Sequence, residues 1–547
     1  MGAELAYSHT ASRLEQALEQ ATVGEYLRRV VETHCEREAV VSVHQERRLT
    51  YGELGSVVQR VSTRLQRLGV RTGDRVLVWA GNRLEGVVLQ LATATAGAVF
   101  VPMHPSSALS EVNRTLLQTR ASVLVCGDVG SNSAAGASLW EDLRRPDTLK
   151  GVWLDGDAPA GFLPWRDLAD GQEGDCQGGS VPLSPEQTTL LLYTSGTTGL
   201  PKGVMLSHLA VLNTALAVAR GMRLSMEDRV CLPVSLCHVF GSVLGVLAVL
   251  SSGATVVLPS SRFDPTMCLT AIERERCTGL YGVPTMFEAI LNDRHYDRAR
   301  VRSLRTGVIA GSKPSYRLMR TLAATLGAAD VTVAYGMTEI PPVTQTDLAD
   351  PEEERWSARG AVIGGVECKV VDQANGQIVP IGKVGEVCAK GYGVMNGYWE
   401  DDEATRRIVD ADGWVHTGDL GTLSPEGRLA IVGRIKDTVI RCGENIAPLE
   451  IEERLMAHPL IASAVVVGVP DVKVGEEICA CVRLRPGSEL TAVEVRRFCR
   501  ADLASYKVPR HVVFVEVFPT NANGKILRQE TRRIAMARIG ADAREHG

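Results

Sequence analysis

The sequence has no block of basic residues and no stretch in which aromatic and basic residues interleave. With a net charge of −5 and an isoelectric point near 6.2, these absences exclude a nucleic-acid binder, which needs a positive footprint. Nor is there a Cys-x-x-Cys pair among the thirteen cysteines. They are odd in number and scattered, from Cys35, Cys126, Cys176, Cys231 and Cys237 on to Cys499. A disulfide framework is excluded and a reducing compartment is expected. Cys479 and Cys481 stand two apart, on one face of a strand, and read as two core thiols, with a zinc site as the alternative.

No secretory signal opens the chain. Residues 1–20 carry Glu4, Glu15 and Glu19, whereas a transit peptide is poor in acids. The last four residues, Arg544-Glu545-His546-Gly547, form no targeting tripeptide. A cytoplasmic protein is expected. One stretch, Cys231 to Ser261, lacks any charged residue and is long enough to span a bilayer. Pro233, Gly241, Gly245, Gly253 and Pro259 interrupt it. It reads as a loop, a buried helix near 240–250 and a strand from Ala254 to Leu258, so no transmembrane segment is expected. A Gly-x-Ser-x-Gly elbow is also missing, which excludes a Ser–His hydrolase of that type. Ser207-His208 reads as part of a continuing helix.

What is present is a chain of 547 residues, enough for two to four folding units. Hydrophobic residues make up 45% and charged residues 22%, the profile of a globular protein. Helices and strands alternate. Helix Leu84 to Ala96 leads through Gly97-Ala98 into Val99-Phe100-Val101-Pro102. A second apolar helix leads through Gly253-Ala254 into Thr255-Val256-Val257-Leu258-Pro259. Strands that are apolar throughout suit a parallel sheet covered on both faces. The shared plan predicts two similar α/β subdomains. Residues 127–182 read as surface connections with a few short elements. After about residue 360 the texture turns to short strands and turns. Residues 437–547 read as a compact α+β unit, with helices Pro448 to Ala457 and Ala492 to Leu503 and strands Ala462 to Val469, Ile478 to Leu484 and Val512 to Phe518. The expected division is 1–436 and 437–547.

The strand Thr189 to Tyr193 runs straight into Thr194-Ser195-Gly196-Thr197-Thr198-Gly199-Leu200-Pro201-Lys202-Gly203. Seven of these ten residues are Gly, Ser or Thr. Glycines let backbone N–H groups approach an anion, hydroxyls add donors, and Lys202 supplies a point charge. Val204 to Arg220 is expected to be a helix with its N-terminus near that anion. The loop does not match the Walker A spacing, and Gly391 to Gly397 does not match a dinucleotide fingerprint.

The loop resembles the phosphate loop of the adenylate-forming superfamily, which includes acyl-CoA synthetases, peptide-synthetase adenylation domains and luciferases. The other family motifs follow in order: Tyr335-Gly336-Met337-Thr338-Glu339, Thr417-Gly418-Asp419, Gly433-Arg434-Ile435-Lys436-Asp437 and Asn523-Gly524-Lys525. The resemblance covers nearly the whole chain. It implies ATP, Mg²⁺ and coenzyme A as reactants and cofactor, and a large N-terminal domain followed by a small mobile one. Attack of a carboxylate on the α-phosphorus joins two anions, so positioning and charge neutralisation should carry the catalysis. By resemblance, Glu339 is the Mg²⁺ ligand, and Thr338 donates to the α-phosphate. Tyr335 stacks on adenine with Gly336 beside it, and Gly311 and Ser312 lie on adenine's other side. Asp419, read as lying in a turn, and Arg434 contact the ribose. Thr194, Ser195, Gly196, Thr197, Thr198, Gly199 and Lys202 hold the phosphates. Lys525 stabilises charge shared by the α-phosphate and the attacking carboxylate. Asp437 is the hinge about which the small domain turns between two half-reactions. Gly443, Glu444 and Asn445 belong to the face that meets coenzyme A, although Cys442 stands where many relatives have Gly.

His238 resembles a residue beside the substrate carboxylate. Val239, Gly241, Gly282, Val283, Gly311 and Val343 are the expected acyl pocket, and none is charged. An amino acid would want a carboxylate partner for its ammonium group, so an aliphatic monocarboxylic acid is favoured. Leu280 to Phe287, Val308 to Ser312 and Gly475 to Cys481 resemble medium-chain acyl-CoA synthetases of the mitochondrial type, which makes the mitochondrial matrix the alternative location. Two other readings stand beside this one. The first is an adenylating enzyme that passes its acyl group to a carrier protein. The second is a catalytically silent binding protein, against which Lys202, Glu339, Asp419, Arg434 and Lys525 together argue.

Overall fold

The computed structural model describes residues 6–14, 16–127, 139–171, 182–194, 201–326, 330–441, 444–471, 473–520 and 526–545. Among these, three sheets with helices packed on them give the α/β class expected. The first sheet has eight strands. In its parallel centre, Val99–Met103 lies between Arg75–Trp79 and Thr188–Thr194. Val123–Cys126, Lys150–Trp153 and Phe162–Pro164 extend it on one side. The other edge turns antiparallel through Lys202–Ser207 and Gly397–Tyr398.

The second sheet has fourteen strands and two characters. Glu38–Ser42, Thr255–Leu258, Arg229–Cys231, Gly279–Gly282, Thr306–Ile309 and Asp330–Met337 pair in parallel in that order. Beyond them the pairing is antiparallel, through Ile340–Gln345, Gly360–Val362, Arg428–Arg434, Val415–Leu423, Gly385–Gly391 and Val366–Val371. This β-rich part starts before the change of texture near residue 360. Ile340–Gln345 is buried at every position and so offers no alternation to read.

The repeated plan is realised once in each sheet. Helix Leu84–Thr95 leads through Gly97 into Val99–Met103; the helical stretch Phe240–Ser251 leads through Gly253 into Thr255–Leu258. Both glycines have positive φ, +75° and +71°, a conformation Gly reaches without steric penalty and helices use to stop. Phe240–Leu247 is wound as a π-helix, a form often found beside functional sites. Both helices lie in one apolar core between the sheets, with Val76 and Val78 from the first sheet and Val40, Val230 and Val256 from the second. Gln90 Nε2 donates to the Ser242 carbonyl at 3.0 Å across that core. Thr22, Thr50 and Thr491 start three other helices with reciprocal capping boxes to Glu25, Glu53 and Glu494.

The third sheet has five strands: Val439–Arg441, Glu444–Ile446, Ile461–Asp471, Gly475–Leu484 and His511–Phe514. Helices Pro448–Met456, Ala492–Arg500 and Arg528–Glu545 cover it. Its two faces carry separate apolar clusters, and Cys479 and Cys481 are fully buried with Val465, Val467 and Ala535 in one of them. They are core thiols, not a zinc site. Among the described residues no helix is long and apolar enough to cross a membrane.

Candidate active site

The Gly-rich loop joins two strands, not a strand and a helix. Lys202–Ser207 pairs antiparallel with Thr188–Thr194, and Lys202 stands opposite Thr194. The helix expected over Val204 to Arg220 begins only at His208, where Ser207 Oγ accepts from the Ala210 N–H at 3.1 Å. Its N-terminus is therefore roughly 17 Å along the strand from Lys202 and does not face the loop. The run Val204-Met205-Leu206 is too short for periodicity to separate helix from strand, and pairing with Thr188–Thr194 decided it. Ser207-His208 opens the helix and does not continue one. Ser195, Gly196, Thr197, Thr198 and Gly199 lie outside the described residues, as do Lys525 and Gly443.

Thr338 and Glu339 form the two-residue turn between Asp330–Met337 and Ile340–Gln345, where Met337 pairs with Ile340. Both are buried, so Glu339 is no solvated surface charge. The Tyr398 hydroxyl donates to Glu339 Oε1 at 2.7 Å. The backbone of the same segment is tied to both neighbours. Met395 N donates to the Glu339 carbonyl at 2.9 Å, and Trp399 N donates to the Gly203 carbonyl at 2.7 Å. Lys202 Nζ sits 4.9 Å from the centre of the Tyr398 ring, a cation–π distance. Lys202, Tyr398 and Glu339 thus form one cluster built from three separate segments. Burial pushes the Glu339 carboxyl up, opposed by the Tyr398 hydrogen bond and by the charges of Lys202 and Arg434. A buried oxygen ligand with its cations at one remove fits a hard divalent ion such as Mg²⁺. Tyr398 was missed in the sequence. Its signal was its place after Gly391 to Gly397, a run weighed only as a nucleotide fingerprint.

Asp419 lies in the strand Val415–Leu423, not in a turn. Gly418 before it has φ +67°, which explains why the Gly-Asp pair read as a turn. Arg434 stands directly across from it on Arg428–Arg434. Arg434 Nε is 2.8 Å from Asp419 Oδ1, with the carboxylate side chain 5% and the guanidinium side chain 39% exposed. The Tyr335 hydroxyl donates to Asp419 Oδ2 at 2.9 Å. Gly336 falls in the bulge between Tyr335 and Met337. Tyr335 and Gly336 share their strand end with Thr338 and Glu339, and the Tyr335 hydroxyl ties that end to Asp419.

The expected acyl-pocket residues are brought together in part. Val239 and Gly241 are buried at the start of the π-helix. A side chain at Gly241 would come 2.2 Å from the Ser235 carbonyl, so only Gly fits. Gly282 ends its strand, and Val283 precedes helix Pro284–Leu291. A Cβ on Gly311 would lie 3.2 Å from Val283 Cγ1, which puts these two in contact. His238 and Ser312 are exposed. Val343 is the departure. It is fully buried in the antiparallel core with Ile340, Val362 and Leu429. A cavity of about 370 Å³ lies elsewhere, between Gln16 to Gln20 and Asn213, Arg220 and Tyr392, and touches none of these groups.

Asp437 ends the 3₁₀ turn Ile435–Asp437 that leads into the third sheet. Its Oδ2 is 3.4 Å from Arg528 Nε. Arg528 is held in turn by Glu452, at 2.7 Å to each carboxylate oxygen. Glu444 and Asn445 are exposed on the hairpin Val439–Ile446. Lys313 Nζ reaches Glu453 of the small unit at 2.6 Å.

Comparison with known proteins matches residues 27–399 to the model of the AMP-binding enzyme family and residues 450–525 to that of the AMP-binding enzyme C-terminal domain. A putative acyl-CoA synthetase, YngI of Bacillus subtilis (strain 168), is 38% identical over 531 residues, covering 94% of this chain and 96% of that one. The mitochondrial medium-chain acyl-CoA ligase ACSF2 of Danio rerio is 36% identical, covering 96% of this chain and 90% of that one. Among solved structures, ATP-bound MatB from Rhodopseudomonas palustris superimposes with a TM-score of 0.83 at 27% identity, covering 94% of this chain and 99% of that one.

Proposed function

The chain belongs to the AMP-binding enzyme family, and from that premise we propose that it joins a medium-chain fatty acid to coenzyme A with ATP, through an acyl adenylate. In the first half-reaction a carboxylate oxygen attacks the α-phosphorus and pyrophosphate leaves. In the second, the coenzyme A thiol gives up its proton, its sulfur attacks the acyl carbon, and AMP leaves. The observation that carries the reading is the joined cluster of Lys202, Tyr398 and Glu339 beside the Tyr335–Asp419–Arg434 set. Between them they supply a cation for phosphate, a buried carboxylate for a hard metal ion and a paired carboxylate for ribose hydroxyls. Glu339 would hold Mg²⁺, which supplies neutralisation of phosphate charge.

In this proposal Thr194 to Gly199 and Lys202 cradle the phosphates. Thr338 donates to the α-phosphate, and Tyr335 and Gly336 pack on adenine opposite Gly311 and Ser312. Lys525 closes over the reacting oxygens, and His238 orients the acid. The lining of Val239, Gly241, Gly282, Val283 and Gly311 carries no charge, which supports an aliphatic acid. The name of the Danio rerio relative supports medium length. Asp437 divides a large unit, 1–436, from a small one, 437–547, and the small unit turns there to bring Glu444 and Asn445 to coenzyme A. A mitochondrial and a bacterial relative support different compartments, so cell fractionation decides between matrix and cytoplasm.

Two measurements test this. Acids from butyrate through palmitate are assayed for acyl-CoA by mass spectrometry, with octanoate expected near the maximum. Acyl-AMP accumulating without thioester would overturn coenzyme A as acceptor. Lys525→Ala should cripple adenylate formation and spare transfer from preformed acyl-AMP. Equal loss of both would overturn the turning small unit.

A further inference from the structure

Outside the cluster assigned to ATP, three different metal-binding donors converge on the antiparallel pair Gly385–Gly391 and Val415–Leu423. Cys388 stands directly across from His416, and Glu386 is two residues from Cys388, next to a bulge. His416 Nδ1 is 3.0 Å from Glu386 Oε2 and 3.5 Å from Cys388 Sγ. Among the described residues this is the one set of three such groups with all ligand atoms within 4.8 Å of one another. A tetrahedral ion with bonds of about 2.3 Å to sulfur and 2.0 Å to nitrogen holds those two atoms about 3.5 Å apart. The other ring nitrogen of His416 is 3.7 Å from Asp410 Oδ2. A carboxylate behind the far nitrogen of a ligating histidine is the usual outer support of a metal site.

We propose that Glu386, Cys388 and His416 bind a zinc-class divalent cation, with Asp410 orienting the imidazole. Thiolate together with imidazole selects zinc over the magnesium that phosphate chemistry uses. Cys388 is fully buried, while His416 and Glu386 are 36% and 15% exposed, which gives an entry path and room for a water as fourth ligand. Binding releases the Cys388 proton to solvent. The site reaches the nucleotide set through the backbone. Glu386 Oε1 accepts from Gly418 N at 3.1 Å. Thr417 Oγ1 donates to the Val387 carbonyl at 2.7 Å and accepts from Asp419 N at 3.1 Å. An ion on Glu386 would therefore stiffen the segment that presents Asp419.

The test is a cobalt(II) titration of the reduced, untagged full chain without nucleotide, in a Cys35→Ser background because Cys35 is exposed. One equivalent should produce a thiolate-to-cobalt charge-transfer band; cobalt at Glu339 has no thiolate and gives none. Cys388→Ser should abolish the band, Cys481→Ser should keep it, and Asp410→Asn should weaken affinity about 10- to 100-fold. Melting without metal checks that each variant folds, and His416→Gln, at a half-buried position, stands in for a Cys388 variant that does not. No band in the parent, or an undiminished band in Cys388→Ser or His416→Gln, would overturn the proposal.

Discussion

Around Asp419 the ionic contacts run between neighbouring strands; between the large and small units they join flexible side chains near solvent. Asp419 and Arg434 are cross-strand partners, and the Tyr335 hydroxyl completes the carboxylate's set. Their geometry is held by the sheet, so little has to move when a ligand arrives. The inter-unit contact is of another kind. Lys313 meets Glu453, which is 51% exposed. Contacts of that sort are weak and easily exchanged. The same residue types build a sheet-held site in one place and, under the proposed turning of the small unit, a releasable dock in the other.

The contrast can be attacked from its strongest side first. Asp419→Ala leaves Arg434 and Tyr335 without their acceptor. kcat/KM for ATP should fall about 100- to 1,000-fold in pyrophosphate-release assays. A loss below tenfold would mean the cross-strand set is not preorganised for the ribose.

Next is the rigidity of the large unit itself. His208 is fully buried, and its Nδ1 accepts from Val23 N at 3.2 Å, which requires the neutral ring. Burial lowers its pKa to about 4. The unfolded value is near 6.5, so the unfolded chain binds the proton more readily. Stability is complete above pH 6.5 and drains away as the pH falls toward 4, by about 3 kcal/mol in all. Denaturant melts across this window should show the loss, and His208→Gln should flatten it. A small-unit fragment, if it folds, should lose less, since burial also lowers His458 and His511 there but neither is fully buried as His208 is.

Smaller effects are expected at the junction. Asp437→Pro fixes φ at the proposed hinge and should slow one half-reaction relative to the other, on the order of tenfold. Equal rates would break the hinge side of the comparison. Lys313→Ala should change stability by about 0.2–1 kcal/mol while shifting the ratio of the two half-reactions a few-fold. A larger stability loss would mean that the dock is as rigid as the site.

Much of this was legible before any coordinates. The five ordered motifs named the family, and the repeated Gly-Ala passages announced two related α/β sheets because each glycine stops a helix at the same point. The misreadings have local causes. Val204 to Ser207 and Ile340–Gln345 are short and offer no usable local period, and Gly418 with its positive φ disguised the strand that carries Asp419. Each became a strand because a partner strand lay beside it.

By itself, then, the sequence determined the family, through five motifs in a fixed order. That follows from residue type at fixed spacing, which is local information. Only the tertiary structure decided that Tyr398 ties Lys202 to Glu339 and that Arg434 faces Asp419. It alone brought Glu386, Cys388 and His416 to one spot. These contacts reach between residues 15 to 196 positions apart, and strand register, not chain spacing, brings such residues within reach of one another.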